Sequence, residues 1–202
     1  GQVVDRYKKI LLPTYDVFDE DRYFKSGDQP VIVEISIGSK IKKIGLQICE
    51  DLWDHTYSRN LVDQLKNAGA ELIINISASP YRVDRLVDRC NLIKTKVDNT
   101  GIPFLYCNLV GAQDELIFDG QSVAYDSKGN LIAQGNSFVE EIVIVDFDNQ
   151  DSIELNVLQR EEKIYNALVL GVKDYFTKTG HTEAVLGLSG GIDSSLTACI
   201  AV

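Results

Sequence analysis

Methionine is absent from this 202-residue chain, and cysteine, proline and tryptophan are rare. The four cysteines, Cys49, Cys90, Cys107 and Cys199, form no C-x-x-C pair, so the sequence indicates neither a zinc site nor a disulfide framework. Unpaired cysteines in apolar surroundings are typical of a reducing compartment, and we expect a cytoplasmic protein. Because methionine is missing and the chain starts within an apolar pattern, we expect it to be an internal piece of a longer protein.

Basic charge is also scarce. The chain has 20 Lys and Arg residues against 30 Asp and Glu residues, and its longest basic runs are the pairs at residues 8–9 and 42–43. A general nucleic-acid binder needs a basic stripe, so we expect no nucleic-acid partner. No apolar run is long enough for a transmembrane helix, so we expect no membrane partner. The 45% hydrophobic and 25% charged composition is typical of a globular protein with a buried core.

Alternating strand and helix patterns predict an α/β protein. In the helix predicted over residues 84–99, Leu86, Cys90, Ile93 and Val97 share one face, so Cys90 is expected in the core. A polar loop is expected over residues 14–29 and a hairpin turn over residues 38–40. Strands are predicted at residues 2–12, 31–37, 41–48, 72–77, 104–110, 121–125, 131–133, 141–145 and 184–188, and further helices at residues 58–67, 158–179 and 196–201.

Residues 184–202 show the order strand, glycine loop, helix. Adjacent glycines and the free N–H groups of a helix's first turn form a cradle for an anion. The loop has no lysine, so it does not match the G-x-x-x-x-G-K-[ST] phosphate loop. Its S-G-G-x-D-S sequence instead resembles the pyrophosphatase loop of ATP-dependent adenylating enzymes, which cleave ATP between the α- and β-phosphates. The plainer alternative is a Gly-Gly turn whose Ser or Asp caps a helix.

Cys49 ends a predicted strand and is followed at once by two acidic residues. A cysteine in this place is either a small core residue or a nucleophile displayed at a bend. A histidine base is poorly supported, because the two histidines are His55, in a loop, and His181, far along the chain.

The surroundings of Cys49 suggest another base arrangement. Residues 45–51, Gly-Leu-Gln-Ile-Cys-Glu-Asp, resemble the nucleophile motif of the nitrilase superfamily, whose catalytic triad is Glu, Lys and Cys. Residues 9–24 resemble the lysine segment of one branch, the glutamine-dependent NAD synthetases, which carry their S-G-G-x-D-S domain on the C-terminal side. Two motifs of independent chemistry therefore follow that family's order along the whole chain.

The resemblance implies a fold and a domain division. It implies an α/β protein with a nitrilase-type αββα sandwich, incomplete at its N-terminus, followed by the start of a Rossmann-like ATP-pyrophosphatase α/β domain. We expect a glutaminase domain at residues 1–150, a linker at residues 151–156 and the beginning of the synthetase domain at residues 157–202. The family's catalytic glutamate is expected upstream of these residues, and the deamido-NAD site beyond them.

The resemblance also implies roles for individual residues. Cys49 would attack the glutamine carboxamide, and Lys9 would stabilise the oxyanion together with the backbone N–H of Glu50. Lys8 competes with Lys9, but strand alternation would place the two on opposite faces, and the spacing to Leu12 selects Lys9. Glutamine recognition would fall on Tyr15, Phe18, Glu20, Glu50, Ser79 and Arg85. The residues that would bind ATP are Gly187, Leu188, Ser189, Gly190, Gly191, Ile192, Asp193, Ser194 and Ser195.

The expected function is the ATP-dependent amidation of deamido-NAD to NAD, with ammonia released from glutamine. ATP and Mg²⁺ are the implied cofactors, glutamine and deamido-NAD the implied substrates, and a homo-oligomer the implied assembly. The metal ligands stay unassigned, and residues 111–120 are expected to form a structural loop beside the site. The alternatives are a stand-alone carbon-nitrogen hydrolase that cuts a small amide, a synthetase that adenylates another acceptor, and an inactive hydrolase-like fragment that mediates assembly.

Overall fold

A computed structural model of the chain describes residues 3–38, 40–148 and 151–202. Its main element is a six-stranded mixed sheet with the strand order β1-β2-β3-β4-β7-β8, and β5 and β6 form a separate hairpin. The strands are β1 (Ile32–Ile37), β2 (Lys40–Ile48), β3 (Leu72–Ser77), β4 (Phe104–Asn108), β5 (Val110–Gln113), β6 (Leu116–Asp119), β7 (Val123–Tyr125) and β8 (Leu131–Gln134). The predicted α/β class is confirmed.

The direction of each strand follows from its connection. A short turn joins β1 and β2, so this pair is antiparallel, whereas β2, β3 and β4 are joined by crossovers that contain helices and run parallel. β7 and β8 add antiparallel neighbours at the far edge. Ser39, in the predicted β1–β2 turn, lies outside the described residues.

Two helices, at residues 61–67 and 85–100, cover one face of this sheet. The helices of the chain are α1 (Glu20–Tyr23), α2 (Leu61–Asn67), α3 (Arg85–Thr100), α4 (Arg160–Thr179) and α5 (Ile192–Ala201), and Cys49–Leu52 and Asp54–Thr56 form 3₁₀ turns. The predicted apolar stripe of α3 is buried in the main core, and Cys90 within it is 3% exposed. Asn60 caps α2 by accepting a hydrogen bond from the N–H of Asp63 at 3.2 Å.

The opposite face of the sheet is more open. On β4, Phe104 and Tyr106 point into the helix-covered core, while Cys107 points the other way and is exposed. A cavity of about 660 Å³ lies along this second face and is lined mainly by apolar side chains, Ile76 and Leu105 among them. A sheet with helices on one face corresponds to half of the expected αββα sandwich.

Three predicted strands are wrong. Residues 3–12, 141–145 and 184–188 are irregular, and Gln2, the first residue of the first of these predictions, lies outside the described residues. A strand exists only where a neighbouring strand completes its hydrogen-bond ladder. Among the described residues none of these three segments pairs with a strand, and Ile142, Ile144 and Val185 are almost fully exposed. The Rossmann-like domain start is therefore represented by its loop and helix, without the strand.

Other boundaries also differ. The predicted strand 104–110 is divided between β4 and β5, and residues 111–120 form most of the β5–β6 hairpin instead of a loop. The helix predicted from residue 58 begins at Leu61, because Asn60 caps it, and α5 begins at Ile192, four residues earlier than predicted. The end of the predicted 158–179 helix is confirmed at Thr179, before Gly180 with φ +74°.

α4 packs on the β5–β6 hairpin. A carboxylate oxygen of Asp174 accepts a hydrogen bond from the N–H of Ala112 at 2.7 Å, and Gly171 lets the helix approach the side chain of Ile117. The domain division at residue 150 stays a prediction, and residues 149 and 150 lie outside the described part of the chain. Within residues 3–38, 40–148 and 151–202, no helix combines the length and apolar character that a membrane crossing requires.

Candidate active site

Cys49 lies at a strained bend at the end of β2. Its φ of +46° falls in the left-handed region, which non-glycine residues rarely adopt and which is concentrated at functional sites. This bend places Cys49 in the wall of a cavity of about 450 Å³, together with Lys9 and Ala78. The backbone therefore displays Cys49 toward a space large enough for a small substrate.

Lys8 and Lys9 both line this cavity. Residues 3–12 are not a strand, so strand alternation does not apply to them. Lys9 is nevertheless the better candidate, because its ammonium group is largely buried and its charge acts on the Cys49 thiol, whereas Lys8 is exposed.

Glu20 forms an ion pair with Lys9. The Lys9 Nζ lies 2.7 Å from Glu20 Oε1 and 2.6 Å from Oε2, and the two side chains are 13% and 24% exposed. The structure thus places the Glu20 carboxylate against the Lys9 ammonium group. Phe18 lines the cavity beside them and packs edge-on against Tyr15, with ring centroids 5.9 Å apart.

Glu50 is a buried carboxylate held by two phenols. The hydroxyl of Tyr15 donates to both Glu50 oxygens at 3.0 and 2.9 Å, and the hydroxyl of Tyr57 donates to Oε1 at 3.0 Å. Burial raises the pKa of Glu50, while the two phenols and the nearby Lys9 charge oppose this rise. Uncharged donors orient a carboxylate and leave its negative charge available to a cationic ligand. Tyr57 was missed in the sequence, because it belongs to no motif.

Arg85 is the first residue of α3, and its guanidinium lies over the Trp53 ring, 4.8 Å from the ring centroid. This cation–π contact fixes the direction of the side chain. Its buried Nε has no hydrogen-bond partner within the described residues. Ser79 is buried, and its N–H donates to the Asn108 side chain at 2.9 Å. Trp53 and Asn108 carry no sequence signal for these roles, since both act through contacts with residues distant in the chain.

The charge state of Cys49 follows from its surroundings. Burial raises the pKa of the Cys49 thiol above its usual range, and the Glu50 carboxylate adds to this. The Lys9 ammonium and the hydrogen bonds from Ser77 and Ala78 act in the opposite direction without cancelling the effect. Cys49 therefore rests as a thiol at neutral pH and must lose its proton to a base when it attacks.

We expect the alkylation of Cys49 by iodoacetamide to keep accelerating above pH 8.5, about the usual thiol pKa. Lys9→Met removes the charge that favours the thiolate and should move the profile to still higher pH. The measurement is peptide mass spectrometry of the full-length protein across pH, with exposed Cys107 as the internal reference. A Cys49 profile that levels off below about pH 8 would contradict this assignment.

The glycine loop precedes α5 as the sequence predicts. Gly190 has a φ of +83°, and the N-cap residue Gly191 starts the helix. The hydroxyls of Ser189 and Ser194 lie 3.1 Å apart, and that of Ser195 donates to the Gly191 carbonyl at 2.9 Å. The loop is exposed from residue 187 to residue 193, so its backbone is accessible to an anion.

Comparisons with known proteins match the part of the chain that carries Cys49 and the part that carries the glycine loop to two different family models. Residues 1–156 match the family model described as Carbon-nitrogen hydrolase, and residues 164–202 match the model described as NAD synthase. The chain is 43% identical over its full length to the glutamine-dependent NAD(+) synthetase of Synechocystis sp., of which it covers 38%. It is 36% identical over its full length to that of Aquifex aeolicus, of which it covers 41%.

A solved structure shares this fold over nearly the whole chain. The glutamine-dependent NAD+ synthetase of Acinetobacter baumannii, in complex with ADP, superposes with a TM-score of 0.88 at 36% identity, over 99% of this chain and 38% of that one. The chain thus spans about two fifths of the length of these relatives. It belongs to the carbon-nitrogen hydrolase family, and its residues 164–202 match the NAD synthase family model.

Proposed function

We propose that the protein makes NAD by ATP-dependent amidation of deamido-NAD, using ammonia that it releases from glutamine. The observation that carries this proposal is the presence, in one chain, of a cavity with Cys49 and Lys9 and of a glycine loop that opens a helix. The first suits amide hydrolysis and the second suits nucleotide phosphates. The names of the relatives, each a glutamine-dependent NAD synthetase, support the same assignment.

The first reaction is glutamine hydrolysis. The Cys49 sulfur attacks the carboxamide carbon, and the Lys9 ammonium stabilises the negative charge that develops on the carbonyl oxygen. The carbon–nitrogen bond then breaks, a thioester remains on Cys49, and the proton taken from the thiol leaves with ammonia. Water cleaves the thioester to give glutamate and the free thiol. The resemblance assigns the role of the base to a glutamate that is expected upstream of these residues.

Recognition of glutamine requires opposite charges at its two ends. Glu50 suits the α-ammonium group, because its buried carboxylate is oriented by Tyr15 and Tyr57. Arg85 suits the α-carboxylate, because Trp53 holds its guanidinium and its Nε is unpaired within the described residues. We therefore assign ammonium recognition to Glu50 in preference to Glu20, which is engaged with Lys9. Phe18 and Ser79 complete the expected wall of the site.

The second reaction uses the loop before α5. ATP phosphates would lie against residues 187–195. The nicotinate carboxylate of deamido-NAD would attack the α-phosphate and become adenylated with release of pyrophosphate, and ammonia would then displace AMP. In the described part of the chain, no group of three or more His, Cys, Asp and Glu side chains is arranged to hold a metal ion. These residues alone do not form an Mg²⁺ site, and we derive no step through the metal. Homo-oligomer assembly and a cytoplasmic location stay predictions.

The test is NAD formation by the full-length protein from deamido-NAD and ATP, with either glutamine or ammonium as the nitrogen source. We expect NAD from both sources, because free ammonium can replace the ammonia that Cys49 releases. If neither source gives NAD, the proposed function is wrong. Release of ammonia from an amide without any dependence on ATP would instead indicate a stand-alone carbon-nitrogen hydrolase.

A further inference from the structure

Asp51 is a fully buried carboxylate between the two segments that carry the proposed catalytic pair. One oxygen, Oδ1, accepts hydrogen bonds from the N–H groups of Ile10 and Leu11 at 3.1 and 2.9 Å. The other, Oδ2, accepts from the N–H of Ile48 at 2.9 Å and from the Tyr7 hydroxyl at 2.7 Å. Asp51 thus binds the residues directly after Lys9 with one oxygen and the residue directly before Cys49 with the other.

Residues 3–12, which we call the Lys9 segment, need such an attachment because they are not part of a sheet. They lie in no strand, so no backbone ladder aligns them with β2. On its other side the segment is bound to the polar loop, where the N–H of Gly27 donates to the Lys9 carbonyl at 2.8 Å. That contact joins Lys9 to the loop, whereas the contacts of Asp51 join it to the strand end that carries Cys49.

We propose that Asp51 is a positioning residue that holds the Lys9 segment against the Cys49 bend, so that the ammonium group and the thiol face the same reacting carbon. This inference rests on the roles of Lys9 and Cys49 in the proposed function. Asp51 touches neither the substrate nor the reacting atoms in this scheme. It acts through the backbone on either side of the two catalytic residues.

The chemistry of the site requires a carboxylate in particular. Burial raises the pKa of Asp51, and the four donors, from Leu11, Ile48, Tyr7 and Ile10, oppose that rise. All four groups donate, and a carboxylate can accept from all of them. An asparagine has one acceptor oxygen, and its NH₂ group would face N–H or O–H donors on the other side. Asp51→Asn therefore keeps the size of the side chain and breaks one half of the attachment.

The experiment measures Asp51→Asn in the full-length protein by two readouts. We expect NAD formation from glutamine to fall by about a hundredfold in kcat, because small displacements of catalytic groups cost rate, while NAD formation from ammonium is retained. We also expect the iodoacetamide profile of Cys49 to move to higher pH, since a displaced Lys9 no longer favours the thiolate. The second readout requires no substrate, and a purely structural role would not move it.

Asp54→Asn is the matched control. Asp54 is also a buried carboxylate just after Cys49, but it binds the Lys96 ammonium and the N–H of Leu61 and, within the described residues, makes no hydrogen bond to the Lys9 segment. We expect this variant to lose stability without moving the Cys49 alkylation profile. If Asp54→Asn moves the profile as far as Asp51→Asn does, the positioning role of Asp51 is wrong.

If Asp51→Asn does not fold, Tyr7→Phe tests the inference in its place. It removes one of the four donors and leaves the carboxylate in place, so we expect a smaller change in both readouts in the same direction. Wild-type values for both readouts in the folded variant, Asp51→Asn or otherwise Tyr7→Phe, would overturn the inference. Failure of the proposed function is distinguishable, because it would abolish glutamine-driven NAD formation in the wild type but leave the alkylation comparison measurable.

Discussion

Replacing Cys49 by alanine in the full-length protein will abolish NAD formation from glutamine and leave NAD formation from ammonium intact. In our scheme the thiol forms the bond to the glutamine carbon, and alanine offers no nucleophile in its place. We expect the glutamine-driven rate to fall by at least about a thousandfold. The ammonium-driven reaction bypasses this step, since it needs the proposed ATP-binding loop before α5 but no glutamine hydrolysis at Cys49. The measurement compares NAD formation from the two nitrogen sources.

Cys107→Ala is the matched control for this prediction. It makes the same substitution at an exposed cysteine on the open face of the sheet, outside the cavity of Lys9 and Cys49. We expect it to retain both reactions. Loss of the ammonium-driven reaction in Cys49→Ala would mean that the variant has damaged the whole protein, and full glutamine-driven activity would remove Cys49 from the mechanism.

The fold could be predicted where one segment carries its own signal. The stripe of α3 and the continuous apolar end of β2 bury residues at regular spacing, so their periodicity alone indicates the element. Residues 3–12 also carry an apolar pattern but form no strand, and at Ile10 and Leu11 the side chain of Asp51 accepts the N–H hydrogen bonds instead of a neighbouring strand. Periodicity shows which residues are buried, but it does not show which group completes their hydrogen bonds.

The residues of the candidate site also divide into those with a local signal in the sequence and those without one. Cys49, Lys9 and the glycine loop could be identified because their motifs are local in sequence, and the family that they suggest is confirmed by the matching family models. Tyr57, Trp53 and Asp51 could not be found, since each acts through a contact that exists only after folding. The partner of Trp53, for example, is Arg85, 32 residues further along the chain.

Glu20 illustrates the limit of assigning roles by charge. A carboxylate in the polar loop suits a substrate ammonium group, and the resemblance gave it that role. In the structure the nearest cation is Lys9, and the two form a close pair inside the cavity. The glutamine-binding role of Glu20 stays a prediction, and the contact that the structure shows for this carboxylate is the one with Lys9. The buried Glu50 accepts hydrogen bonds from two tyrosines and forms no ion pair within the described residues, so we propose it for this role.

Lys9→Met tests the proposed catalytic role of Lys9. The substitution keeps an unbranched side chain of similar length and removes the ammonium group that is expected to stabilise the oxyanion. We expect glutamine-driven NAD formation to fall by about a hundredfold to a thousandfold, mainly in kcat, because the lost interaction is strongest in the transition state. Steady-state kinetics with glutamine provide the measurement, and NAD formation from ammonium should stay near the wild-type rate.

Lys8→Met provides the matched comparison, because Lys8 lines the same cavity but its side chain is exposed. If the two lysines contribute only a general positive potential, the two variants will lose activity to a similar extent. If Lys9 acts on the reacting oxygen, Lys8→Met will stay close to the wild type while Lys9→Met loses most of its glutamine-driven rate. The burial of Lys9 beside Glu20 favours the second result, since a largely desolvated ammonium group interacts more strongly with a developing negative charge than an exposed one does.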